Sequence, residues 1–403
     1  MNFERKQFPL LYVHQHSRGI VGWGAHTMAG VECQAYAIKH ALLVTTGLKG
    51  TGIVEEVEGV LKAAGVALTL FDGVTSNPKD YECKAGAKVY QEAGCDGIVS
   101  VGGGSAHDAG KGIRIMMTNE GPDTDLRQFC AFLDPHYTTR IPTYKIVQIP
   151  HVAINTTTGT GAEGTAFAII NDVEWVYKLI LVVPGVGPSV GINDPLFMRL
   201  QPPHMIAWAG MDAFCHAMEP TIGRFNMPHV HAVGLRAIKL LSENIRQAYA
   251  NPFNDVAIEN MAWAQFIASM AYNMGGGMGM VHGTAHMLSV IKDLHHGYTN
   301  AIMMIPVERF NVVAVPERFK EIGQAMGLDV GHMHPVHAAD KTLEEIERLR
   351  NDVGIAQVPL RTFDFSEADI EHTAKWASND LSREANPRDI TPEQIKEIMR
   401  SCV

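Results

Sequence analysis

The order of strand-like and helix-like stretches sets the fold of this 403-residue chain. In the first half, short apolar and β-branched runs at 40–46, 66–71, 97–101 and 145–149 read as strands. Helical patterns separate them, over 51–64, from beyond Asn77-Pro78 to about residue 93, and from Ser105 to about residue 117. Strands divided by helices imply right-handed crossovers and a parallel sheet. After Asp194-Pro195 the pattern changes. Apolar residues recur at helical spacing over 204–218, 229–250, 255–273 and 342–353, and no convincing strand follows. The expectation is an α/β domain over 1–197 followed by an all-helical domain over 198–403.

Composition agrees with two packed domains. Hydrophobic residues make up 46% and charged residues 19%, enough apolar side chain for a sizeable core. A formal net charge of −10 argues against a general nucleic-acid or anionic-membrane binder. The opening MNFERKQFPLLYVHQHSRG has no apolar core fit for a signal peptide, and no run approaches the ~18 apolar residues of a membrane span. Cys33, Cys83, Cys95, Cys130, Cys215 and Cys402 are scattered, with no C-x-x-C pair. They read as reduced core thiols of a cytoplasmic protein.

The third strand stops at Gly102-Gly103-Gly104-Ser105 and a helix resumes at once. Backbone without Cβ atoms can approach a ligand closely, and the new helix aims unpaired N–H groups and the positive end of its dipole at it. A pyrophosphate fits there. Ser105 adds a hydroxyl, and Asp108 projects one turn later toward the same mouth. A lone glycine loop reads equally well as a tight strand-to-helix turn. The second loop, NTTTGTGAE at 155–163, shifts the balance, since threonine hydroxyls beside glycines suit ribose and phosphate oxygens. Two such loops at the ends of parallel strands favour a dinucleotide cleft in a Rossmann-like sheet.

The helical half carries metal-type residues. Asp212 and His216 stand four apart on one helix face, His282 and His286 repeat that spacing, and His295-His296 follow in a loop before Gly297. One carboxylate with several imidazoles suits zinc or ferrous iron with a position left open. Taken singly, each histidine reads as a hydrogen-bonded core or surface residue, and the Asp/His pair as helix-surface electrostatics. Two pairs together with His295-His296 outweigh those readings. Among the 19 histidines, His14, His16, His229 and His231 read as bystanders.

These motifs resemble the iron-containing (group III) alcohol dehydrogenase family. The matching stretches are VGGGSAHDAGK (101–111), TTTGTGAE (156–163), GMDAFCHAMEP (210–220), GMVHGTAHML (279–288), HHGYTNAIMMIP (295–306) and NPRDITPEQIKEI (386–398), spread over nearly the whole chain. TTGLKGTGIVEE (45–56) and SNPKDYE (76–82) look like one branch, the nitrosoaniline-dependent methanol dehydrogenases and formaldehyde dismutases, nicotinoproteins that keep their cofactor through turnover.

The resemblance implies metal ligation by Asp212, His216, His282 and His296, with iron, zinc or magnesium as the ion. It places His286 beside the nicotinamide and reacting centre. It implies cofactor contacts at Gly103, Gly104, Ser105, Asp108, Thr156, Thr157, Thr160, Lys178 and Asn77. Many members end the first strand with an Asp that binds the adenosine ribose, where this chain has Thr46. Without that carboxylate a 2′-phosphate is not repelled, so tightly bound NADP(H) is expected in preference to NAD(H), with Lys49 near in sequence to add charge. The counter-reading makes Asp72, at the end of the second strand, the ribose reader of an NAD enzyme. The 183–193 segment, VPGVGPSVGIN, is richer in Gly and Pro than the family pattern, so the edge of the cleft is expected to differ.

The function expected is hydride transfer between a small primary alcohol, methanol or another short-chain one, and the nicotinamide. The cation polarises the alcohol oxygen, while His286, and Asp108 at the cofactor mouth, are the candidate catalytic side chains. A small alcohol or aldehyde, an external electron acceptor and further copies of the chain are the expected partners. One rival is a dehydroquinate-synthase-like lyase, which should need several cations for a phosphorylated acid. The other is a non-catalytic metal- or nucleotide-binding assembly subunit.

Overall fold

The computed structural model describes residues 17–131 and 145–403. His14 and His16 lie outside the described residues. The elements of the first half are β1 (Arg18–Val21), α1 (Ala29–Ala35), β2 (His40–Thr45), α2 (Ile53–Ala63), β3 (Ala67–Phe71), α3 (Asp80–Ala93), β4 (Gly97–Gly102), α4 (Gly104–Thr118) and β5 (His151–Asn155). The hairpin β6 (Ala168–Asp172) and β7 (Tyr177–Leu181) and then β8 (Val190–Asn193) complete it. Six strands form one parallel sheet in the order β1-β8-β5-β4-β2-β3. β4 and β5 are buried along their whole length, which is why they read as apolar runs and not as alternating ones.

Three expected strands are present with ends within a residue or so. The fourth is corrected. Residues 145–149 form no strand, and the place between β4 and β8 belongs to His151–Asn155. The KIVQI run is apolar and β-branched like a strand, but only Val147 in it is buried, and the Ile149 carbonyl is taken by the Arg114 guanidinium at 2.7 Å. Pro150 then supplies the carbonyl that receives Ile98 N, and pairing with β4 begins from there. The sequence reading also has no counterpart of β1, β6, β7 or β8. β8 falls inside the Gly/Pro-rich 183–193 segment. Its Gly191 is needed because a Cβ there would lie 2.6 Å from the Glu163 carbonyl oxygen.

From Pro203 onward the described chain is helical: α5 (Pro203–Ile222), α6 (Pro228–Ala250), α7 (Asp255–Ala271), α8 (Met280–Lys292) and α9 (His296–Asn311), then five further helices and short turns to Ser401. α5 is buried on every side over most of its length because it is the central helix, packed by α6, α7 and α9. A second correction concerns His296, expected in a loop. It is the first residue of α9, so its backbone is fixed by the helix. All six cysteines are free and five are buried. No helix among the described residues is long and apolar enough to cross a membrane.

Candidate active site

Above the carboxyl ends of the sheet strands, where α5, α8 and α9 face them, lies a cleft of about 1220 Å³. All the residues expected in the site line it: Thr46, Asn77, Gly103, Gly104, Ser105, Asp108, Thr156, Thr157, Thr160, Lys178, Asp212, His216, His282, His286 and His296.

Its nucleotide-type floor is made of two interlocked loops. α4 begins at Gly103 with no side-chain cap, so the first amides of the helix are left for a ligand. A Cβ on Gly103 would sit 2.7 Å from Thr157 Cγ2, so the second loop can lie on the first only because that position is glycine. Thr156 N donates to Gly102 O at 2.9 Å, and Thr157 Oγ1 to Asn155 Oδ1 at 2.9 Å. Asp108 receives Lys111 Nζ at 2.9 Å on one oxygen and Ile169 N at 3.2 Å on the other, tying α4 to the hairpin. Thr46, just past β2, borders the cleft, whereas Asp72 and Lys49 are exposed and outside its lining. Lys178, on β7, is the one Lys or Arg in that lining among the described residues. Burial lowers its amine to about 8, against the pull of Asp212 and Asp108.

The second wall holds the imidazoles. α5 carries Asp212 and His216, α8 His282 and His286, and α9 His296. Asp212 Oδ1 lies 3.8 Å from His216 Nε2, 4.0 Å from His282 Nε2 and 3.7 Å from His296 Nε2. One donor atom from each of the four residues falls within 4.8 Å of all the others. Burial lowers His216 to about 4 and His296 well below the ordinary imidazole range, so the lone pairs of these two rings stay available. Asn300 Nδ2 reaches Asp212 Oδ1 at 2.7 Å and the Nε2 atoms of His282 and His296 at 3.1 Å each. Two amide hydrogens cannot serve three acceptors. The surplus of converging lone pairs fits a divalent cation, and a set of three nitrogens and one oxygen suits iron or zinc.

The imidazole tautomers are set from behind. His216 Nδ1–H donates to Gly159 O at 3.3 Å, and His282 Nδ1 lies 2.5 Å from Glu219 Oε2. His286 is different. Its Nδ1 is paired with Asp380 Oδ2 at 2.9 Å, and its ring stacks on His296 with centroids 5.3 Å apart. Burial lowers its pKa, leaving a neutral ring with an Nε2 lone pair beside the cation site. Sequence reasoning missed Glu219, Asn300 and Asp380. Glu219 carries a signal in retrospect, one helical turn beyond His216 on the same face, while Asp380 lies outside every quoted motif and far in sequence from His286.

Comparison with known proteins follows this geometry. A family model described as iron-containing alcohol dehydrogenase matches residues 17–195, and one for the C-terminal part of that family matches residues 206–403. The chain is 39% identical to a 1,3-propanediol dehydrogenase of Klebsiella pneumoniae over 94% of its length and 96% of that protein. It is 37% identical to a methanol:N,N-dimethyl-4-nitrosoaniline oxidoreductase of a Mycobacterium species, over 89% and 84%. A solved 1,3-propanediol oxidoreductase superposes with a TM-score of 0.90 at 37% identity, covering 98% of this chain and 100% of the other. With both halves of the chain matched in order, and near-full-length relatives at this identity, the chain belongs to the iron-containing alcohol dehydrogenase family.

Proposed function

We propose that this alcohol dehydrogenase oxidises a small primary alcohol, methanol or a short-chain homologue, with a nicotinamide cofactor that stays bound through turnover. The observation that carries the reading is one cleft with a phosphate-type floor and, on its opposite wall, a cage of converging lone pairs. Residues 1–197 hold the nucleotide in this reading and residues 198–403 hold the cation. The relatives named for 1,3-propanediol and for methanol support the size of the alcohol.

When bound, the divalent cation supplies Lewis acidity and the nicotinamide ring a hydride acceptor. The chain's own residues do the rest. Asp212, His216, His282 and His296 hold the cation, while Gly103, Gly104, Ser105 and Thr156 present amides and hydroxyls to the phosphates. Asn77, Thr157, Thr160 and Lys178 border the remainder of the cofactor. His286 Nε2 receives the alcohol proton, with Nδ1–H held against Asp380 so that the lone pair faces the cleft. Both Asp108 oxygens are engaged by Lys111 and Ile169, so we assign it to bracing the cofactor loop and not to proton transfer.

Thr46 at the ribose end favours NADP(H), since it puts no negative charge against a 2′-phosphate. The exposed position of Lys49 takes away one expected source of counter-charge. A cofactor that does not leave must pass its hydride to a second molecule in the same cleft, so an external acceptor is part of the proposal. The test is the absorption spectrum of the protein as purified, before and after methanol or 1,3-propanediol. Growth of the reduced-nicotinamide band without added cofactor supports the reading. A flat spectrum, with turnover appearing only on added NAD or NADP, overturns the retained cofactor.

A further inference from the structure

Behind the cation cage, on the side away from the cleft, a buried carboxylate touches one ligand and the end of that ligand's helix together. Glu219 sits on α5 one turn beyond His216 and is 2% exposed. Its Oε2 is 2.5 Å from His282 Nδ1. Its Oε1 accepts from Val281 N at 2.8 Å and His282 N at 3.4 Å, the opening amides of α8, whose N-cap Gly279 brings no side-chain cap. Gly279 is required for this approach, because a Cβ there would lie 2.6 Å from Glu219 Oε1.

We infer that Glu219 is a positioning residue for the cation: it fixes the tautomer and orientation of His282, and so the affinity of the cage. A neutral imidazole carries one proton, and an ionised carboxylate can only accept. With Glu219 against Nδ1 the proton stays there, and the Nε2 lone pair faces Asp212 and His296. Asn300 Nδ2, 3.1 Å from His282 Nε2, is a donor and demands the same tautomer from the opposite side. Carboxylates placed behind metal-binding histidines sharpen both geometry and basicity in this way. The other atom near Nδ1 is Cys215 Sγ at 3.6 Å, and Cys215, Glu219 and His282 could instead form a cation site of their own. The inference rests on His282 being a ligand.

Glu219→Gln is the informative change. It keeps the shape and an oxygen, but its amide must either point N–H at His282 Nδ1, favouring the wrong tautomer, or point N–H at the α8 amides. Wild type and variant, each loaded with zinc, are challenged with graded chelator, and bound zinc is measured together with the visible spectrum of cobalt-substituted protein. The expected result is one equivalent of zinc in both, held 10- to 100-fold more weakly in Glu219→Gln, with an altered cobalt spectrum. Equal retention overturns the inference, and so does loss of a second equivalent, which would make these residues a separate site. Absence of bound zinc in the wild type would instead overturn the cation reading on which it rests. Should Glu219→Gln fail to fold, Cys215→Ala decides. Unchanged zinc retention leaves Glu219 as the partner of His282, and a comparable loss gives that role to the thiol.

Discussion

Asn77 Nδ2 reaches Asp293 Oδ1 across the mouth of the cleft at 3.1 Å, and both residues hold left-handed backbone, with φ of 53° and 49°. Asn77 also donates to Leu294 O at 3.2 Å, and Lys178 Nζ approaches Asn77 Oδ1 at 3.4 Å. Asn and Asp tolerate this conformation better than most residues, and here each turns a loop toward the other. The result is a clasp between the loop after β3 and the residues leading into His296.

The clasp should govern how long a cofactor stays. Asp293 does not line the cleft, so Asp293→Ala changes the clasp without removing a cofactor contact. A hydrogen bond to a charged group contributes about 1.5–3 kcal/mol, so cofactor release is expected to quicken by roughly 10- to 100-fold. Cofactor remaining after gel filtration measures this. Retention equal to wild type would leave the clasp with no part in holding it.

His282 and His286 lie on one helix but should respond differently. His282→Ala is expected to lose bound metal and most activity while keeping its helical circular dichroism. His286→Ala should keep near wild-type metal content, with slower turnover or a displaced pH profile. Metal analysis beside rate measurement separates the two, and equal metal loss in both would make His286 a ligand.

Thr46→Asp should turn the cofactor site toward NAD(H) and against a 2′-phosphate, by tenfold or more. Mass identification of the cofactor released from denatured protein checks the wild type, and competition between the two cofactors checks the variant. NAD(H) alone in the wild type, with preference unchanged in Thr46→Asp, would remove Thr46 from the argument.

A buried cluster under the nucleotide floor should make the fold acid-sensitive. Ser100 Oγ lies 2.7 Å from both His107 Nδ1 and His151 Nε2. Burial lowers His107 to about 3 and His151 well below its usual value. Each takes up a proton near pH 6.5 only when unfolded, so the stabilisation is complete above that pH. It is lost progressively as pH falls toward the folded value near 3. At about 1.4 kcal/mol per unit, His107 alone accounts for a few kcal/mol. Urea unfolding at pH 7 and pH 5 should show the loss, and His107→Gln should show a smaller dependence. An identical dependence in that variant would count against the cluster.

What could be read in advance followed local chemistry. The GGGS loop and the paired spacings of Asp212/His216 and His282/His286 announce themselves because each motif lies on a single element. The strand at His151–Asn155 did not, since the KIVQI run beside it is at least as rich in β-branched residues and only sheet pairing decides between them. β8 was hidden by Gly191, which serves a close approach to Glu163 that no local pattern records. Asp380 and Asn300 gain meaning only from what the fold sets beside them.

Gly159 has a wider consequence. Its carbonyl holds His216, and a Cβ in its place would fall 2.4 Å from the Ala209 carbonyl oxygen of α5. The threonine loop proposed to lie under the cofactor and a proposed ligand of the cation therefore share one hydrogen bond. With cofactor and cation bound as proposed, a shift of that carbonyl by one would be felt by the other, and thermodynamic reciprocity would make the coupling equal in both directions. Cofactor and metal would in this sense be ligands of each other, and the order in which they are restored to the apoprotein would alter the path but not the sum of the two affinities.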